Sequence, residues 1–123
     1  MTNDKIIKFD LEERTAKFGE NSIIFARKIP VDEITSPLIT QYVKSGTSVG
    51  ANYCEANNAE SRLDFSHKIG ICKKESRESM HWLRMIVVAV PALKDAAREL
   101  WKEAKELNLI FSKILHSSKQ VGK

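Results

Sequence analysis

Glycine and proline are scarce, at 5 and 3 of 123 residues, so few positions force regular structure to break. There are two cysteines, Cys54 and Cys72, and they lack the C-x-x-C spacing of a metal or redox pair. Each falls in an apolar-periodic stretch, which predicts buried reduced thiols rather than a disulfide. The opening "MTNDKIIKFDLEE" has no apolar core of a signal peptide, and cytoplasmic is the expected location. The longest apolar run, Met85 to Leu93, is too short to span a bilayer and is cut by Pro91, so no membrane contact is expected. No segment alternates with a period of two over a useful length, which argues against a sheet. What remains is 42% hydrophobic and 29% charged residues, too apolar for a disordered chain and enough for one core. The net charge of +4 permits an acidic partner without requiring one.

Four amphipathic segments account for the chain from Asp10 to His116. In the first, Asp10 stands as N-cap with Glu13 as capping-box partner; Leu11, Phe18, Phe25 and Ile29 mark the apolar face, and Pro30 ends it. The second opens at "SPLI", with Ser36 as cap and Pro37 at the first helical position. It continues through Ile39, Val43, Gly46, Gly50 and Tyr53 to about Ala59. The third is capped by Ser61 or Asp64 and carries Phe65, Ile69, Cys72, Ser76, Ser79, Leu83 and Ile86, ending before Pro91. The fourth has an unbroken heptad seam: Leu93, Ala97, Leu100, Ala104, Leu107, Phe111 and Ile114. Long helices with short connections predict an all-α, antiparallel up-down-up-down four-helix bundle over 10–116. Residues 1–9 are expected as an N-terminal extension and 117–123 as a disordered tail.

The stretch "KSGTSVGANYCEA" resembles a phosphate loop in composition. A Walker loop needs Lys-Ser or Lys-Thr after its last glycine and a strand before it; here Ala51 and Asn52 follow and a helix precedes. Gly46 and Gly50, four apart, instead share one helix face, with Ala51 adding a small side chain, so another helix backbone can approach closely. Each mid-helix glycine costs about 1 kcal/mol against alanine, and close packing is the expected compensation. Asn52 and Glu55 border that face and are expected as buried polar residues. Glu55 then needs donors from the serines or Lys74, while a solvated glutamate is the plain alternative. Glu78 and His81 form one Glu-x-x-His pair, half of what a di-iron bundle site requires, so no metal or other cofactor is expected. Neither cysteine has a histidine in a recognisable catalytic arrangement, and no enzymatic activity is expected.

Charge supplies the remaining signal. Lys73, Arg77, His81 and Arg84 fall on one face of the third helix, and Lys94, Arg98, Lys102 and Lys105 on one face of the fourth. Unmixed basic stripes can track a phosphate backbone. Asp95, Glu99, Glu103 and Glu106 run beside the second stripe, however, so pairing between helices or plain solvation is the competing reading. Trp82 and Trp101 are expected to serve packing or an interface.

"TSVGANYCEA" followed by "DFSHKIGICKKESRESMHWLRMI" resembles the small four-helix-bundle proteins encoded in intervening sequences of bacterial 23S rRNA genes. The pattern rests on Ser48, Val49, Gly50, Ala51, Asn52, Glu55, Ala56, Asp64, Phe65, Lys74, Glu75, Glu78, Trp82 and Leu83, and the opening "DLEERTAKFGENSIIFARKIP" is similar to that family's first helix. The resemblance implies a bundle that assembles as a homo-oligomeric ring, typically a homopentamer, with no enzymatic activity. The family is in turn similar to the accessory variability protein of diversity-generating retroelements, which binds nucleic acid and a reverse transcriptase. Together these readings predict a non-enzymatic oligomer that binds structured RNA or a nucleic-acid-processing partner through Lys73, Arg77, Arg84, Lys94, Arg98 and Lys102. The alternative is a protein-only assembly or scaffold module.

Overall fold

The computed structural model describes the backbone of residues 3–121 and the side chains of 11–117. It holds four helices, α1 (Asn3–Ala26), α2 (Thr35–Asn57), α3 (Arg62–Ala89) and α4 (Lys94–Val121), with a single 3-10 turn at Pro91–Leu93 before the last. Contacts join α1 to α2, α2 to α3, α3 to α4 and α4 back to α1, so the four helices close around one core as a bundle. Their order along each seam is set by pairs from opposite ends. Ser22 meets Tyr42 while Thr15 lies beneath Gly50, and Glu55 reaches Lys68 while Ser45 reaches Ser79.

Several helix ends differ from expectation. Helix α1 starts at Asn3, so Asp10 is an interior residue and not its cap; nothing between Asn3 and Asp10 is glycine or proline, and the helix simply continues. Helix α4 continues past His116 to Val121, again with no breaker before Gly122, and Gly122 and Lys123 lie outside the described residues. Ser36 does not cap α2. That task falls to Asp32, whose Oδ1 accepts the backbone N–H groups of Ile34 and Thr35 at 2.8 Å each. Thr35 locks the turn from the other side, donating to the Pro30 carbonyl and accepting from the Asp32 N–H. These bonds hold the Asp32 carboxyl below its usual pKa. Ser61 does cap α3, accepting from the Asp64 N–H at 3.0 Å.

The core follows the seams. Leu11, Phe18, Phe25 and Ile29 are buried, as are Ile69, Cys72, Leu83 and Ile86 and, on α4, Ala97, Leu100, Ala104, Leu107 and Phe111. Small and hydroxyl side chains let the backbones close in between these layers. Gly46 is buried against Ser22 of α1, and a methyl on Gly50 would sit 3.1 Å from the Thr15 carbonyl oxygen. "KSGTSVGANYCEA" is therefore interior α2 helix with its two glycines against α1. Buried hydroxyls are paired: Ser22 with the Tyr42 phenol at 2.8 Å, Ser79 with Ser45 at 3.0 Å, and Thr15 with the Leu11 carbonyl.

Candidate nucleic-acid interface

The six cations expected to contact RNA fall into two groups. Arg84 near the end of α3 and Lys94, Arg98 and Lys102 on the first turns of α4 surround one open groove of about 490 Å3. Its floor is apolar, made by Leu83, Val87, Val88, Ala97 and Trp101. The other pair, Lys73 and Arg77, lines a smaller cleft of about 290 Å3 with Gly70, Lys74 and Glu78, all on α3. Residues 73, 77 and 84 keep to one face of α3, so the cleft and the groove follow one another along it over roughly 16 Å.

Electrostatics separate the two. Along α4 the acidic stripe turns away from the groove. Glu103 takes both Nε and Nη2 of Arg14 on α1 at 2.8 and 2.9 Å, and Glu106 adds a third contact at 3.1 Å. This fork holds the Arg14 guanidinium firmly charged, chiefly through Glu103. Of the rest of that stripe, Glu99 reaches Lys102 across 3.5 Å between two exposed side chains, and Asp95 is exposed beside Lys94 and makes no ion pair among the described residues. Arg84, Lys94 and Arg98 are exposed and make no ion pair among the described residues. The cleft on α3 is mixed: Glu78 lines it, and beside it Glu75 has its carboxyl pKa raised, first by burial and then by its hydrogen bond with Glu78.

Trp101 is half-buried in the groove floor, and Lys105 Nζ lies 5.3 Å from its ring centroid, a cation–π contact that adds a further positive charge nearby. Trp82 is elsewhere, half-buried against the core with its ring edge-on to His81.

The glycine face of α2 takes no part in this surface. Gly46 and Gly50 face α1, but Ala51 is exposed: one residue beyond Gly50 it is rotated about 100° off the packing face, and small size does not bring it back. Asn52 is half-buried and donates to the Ser48 carbonyl at 2.8 Å. Glu55 is exposed rather than buried. Its carboxylate meets Lys68 of α3 at 2.8 Å, near the end where α2 and α3 are joined, and not Lys74 or the serines. Cys72 is buried, its thiol donating to the Val49 carbonyl and pushed up to about 12 by desolvation, whereas Cys54 is exposed. Glu78 and His81 are both exposed, and no three metal-ligating side chains gather among the described residues. No described helix is long and apolar enough to cross a membrane.

The groove's apolar floor was missed by reading charge alone. One signal was present: Val87 and Val88 are adjacent in a helix, so both cannot face the core, and Val88 is left 75% exposed.

The model of the 23S rRNA-intervening sequence protein family matches residues 8–114. Among solved structures, the chain is similar to a protein of unknown function from the S23 ribosomal protein family of Bacteroides thetaiotaomicron. The two share 25% identity and a TM-score of 0.78 over 85% of this chain and 97% of that one. No curated protein matches the sequence.

Proposed function

Because the chain belongs to the 23S rRNA-intervening sequence protein family, we propose that it is a non-enzymatic, self-associating bundle protein that binds structured RNA through the α3–α4 face. The observation that carries this reading is the convergence of Arg84, Lys94, Arg98 and Lys102 from two helices on one groove, while Glu103 and Glu106 of α4 are taken up by Arg14 on the far side. Cations so placed neutralise phosphates and release their counterions, which supplies affinity without base-specific contact. Lys73, Lys74 and Arg77 continue along α3 beyond the groove, with Glu75 and Glu78 among them. A homo-oligomer, such as the pentamer that the family resemblance implies, multiplies a weak patch into several and raises avidity accordingly.

A scaffold without nucleic acid is the second reading. It is favoured by the apolar side chains around the α1–α2 connection, where Ile24, Val31 and Ile34 are exposed at 55%, 77% and 67%. The two readings separate in one preparation: the protein purified from its own cells, its mass measured under native conditions and any co-purifying nucleic acid sequenced. A recurrent RNA bound to the oligomer supports the first. An RNA-free oligomer that falls apart in high salt supports the second, and a metal-bearing enzyme would declare itself by elemental analysis of the same sample.

A further inference from the structure

The α3–α4 groove has a composition that phosphate binding alone does not explain. A surface that only tracks a backbone needs cations, yet here they ring an apolar floor containing an indole. Against Leu83, Val87 and Val88 a phosphate or ribose would lose hydration for nothing in return. A nucleobase is the part of a polynucleotide that gains from such a floor, since it offers an apolar π-face to stack or pack. In a duplex the bases are sealed in the stack; only unpaired bases can be splayed into a groove while the flanking phosphates stay at its rim.

Resting on the RNA-binding reading, we propose that the groove is a site for unpaired nucleotides. A base packs against Trp101 and Val88, and the neighbouring phosphates lie against Arg84 on one wall and Arg98 and Lys102 on the other. The preferred RNA is thus a loop, bulge or single strand and not a continuous helix. Positive charge on both walls fits a strand that passes through, with phosphates emerging on either side of the seated base. The volume of about 490 Å3 falls in the range of small-ligand sites. Lys105, 5.3 Å from the Trp101 ring centroid, steadies the indole.

The two tryptophans make the test direct. In the Trp82→Phe variant all indole emission comes from Trp101, and circular dichroism checks that the bundle is intact. Short oligo(A) RNA is titrated as a single strand and again after annealing to oligo(U). The site predicts quenching of Trp101 by the single strand, and roughly tenfold weaker binding by the duplex, the equivalent of one base stack. Val88→Asn leaves the core untouched because Val88 is exposed and leaves the charge of the groove unchanged, and should weaken the single strand while sparing the duplex. Equal affinity for both forms, with Trp101 emission unchanged, overturns the unpaired-base site but leaves RNA binding standing. Failure of both RNAs to bind overturns the two together, and an acidic amphipathic peptide that quenches Trp101 where RNA does not would assign the groove to a protein partner.

Discussion

Gly46→Ala is the sharpest perturbation the packing offers. A helical alanine is favoured over glycine by about 1 kcal/mol, so in open space the change stabilises. At Gly46 the added methyl would stand 2.7 Å from Ser22 Oγ and 2.9 Å from Ser22 Cβ, inside van der Waals contact. Relief requires α1 to retreat or Ser22 to rotate away. The first is overpacking, at about 1–3 kcal/mol. The second strips the Tyr42 phenol of its 2.8 Å partner in a fully buried site, at about 1–3 kcal/mol. Set against the gain in helix propensity, the net loss is about 1 kcal/mol, or a fall in melting temperature of about 4 °C for a domain of this size. Gly70 on α3 supplies the control, since an added methyl there meets nothing within 4 Å. Gly70→Ala should therefore raise stability by about 0.5–1 kcal/mol. Urea unfolding followed by circular dichroism measures both. A Gly46→Ala protein as stable as Gly70→Ala would refute the claim that this glycine exists to bring α1 close.

Thiol titration of the native protein should label Cys54 alone, with Cys72 reacting only on unfolding, because Cys72 is buried and its thiol is pushed up to about 12. The Asp32 carboxyl has a depressed folded pKa, so its contribution is present above the unfolded value near 4 and is lost as pH falls through the folded one. Asp32→Asn should flatten that part of the acid stability profile and lower stability at neutral pH. Arg14→Met keeps the aliphatic stem but cuts the bond from α1 to Glu103 and Glu106; it should cost about 1 kcal/mol in dilute buffer and less in high salt. A loss that does not shrink with salt would mean that packing of the stem, and not charge, joins α1 to α4 there. Gly50→Leu, which drives a large side chain onto the Thr15 backbone, should prevent α1 from docking altogether.

Local pattern carried most of the fold. The seam from Leu93 to Ile114 is read from spacing alone, and its inner members are buried in the bundle. Glycines four apart on α2 likewise announced a close neighbour, though not that the neighbour was α1. What escaped depends on pairs distant in sequence. Nothing near Arg14 reveals that it will take Glu103 and Glu106 from the far end of the chain, and so clear one flank of α4 of competing acid. The same holds for Ser22 and Tyr42, which need each other only once α1 and α2 have met. Sequence leaves Glu55 open between a buried and a solvated place, because it borders the packing face; at that margin the side chain reaches water and a surface lysine. The cations were visible as stripes, but only the bundle shows that four of them enclose an apolar groove while Lys73 and Arg77 lie beyond it among glutamates.

The groove's role in RNA binding is tested most directly by the salt dependence of affinity for a labelled structured RNA, measured by fluorescence anisotropy for the wild type and for Arg84→Glu with Arg98→Glu. Neutralising about four phosphates per groove predicts that log affinity falls with log salt at a slope of about −3. The double charge reversal should both weaken binding strongly and flatten the slope. A charge-reversed protein with wild-type affinity and wild-type slope would contradict the account.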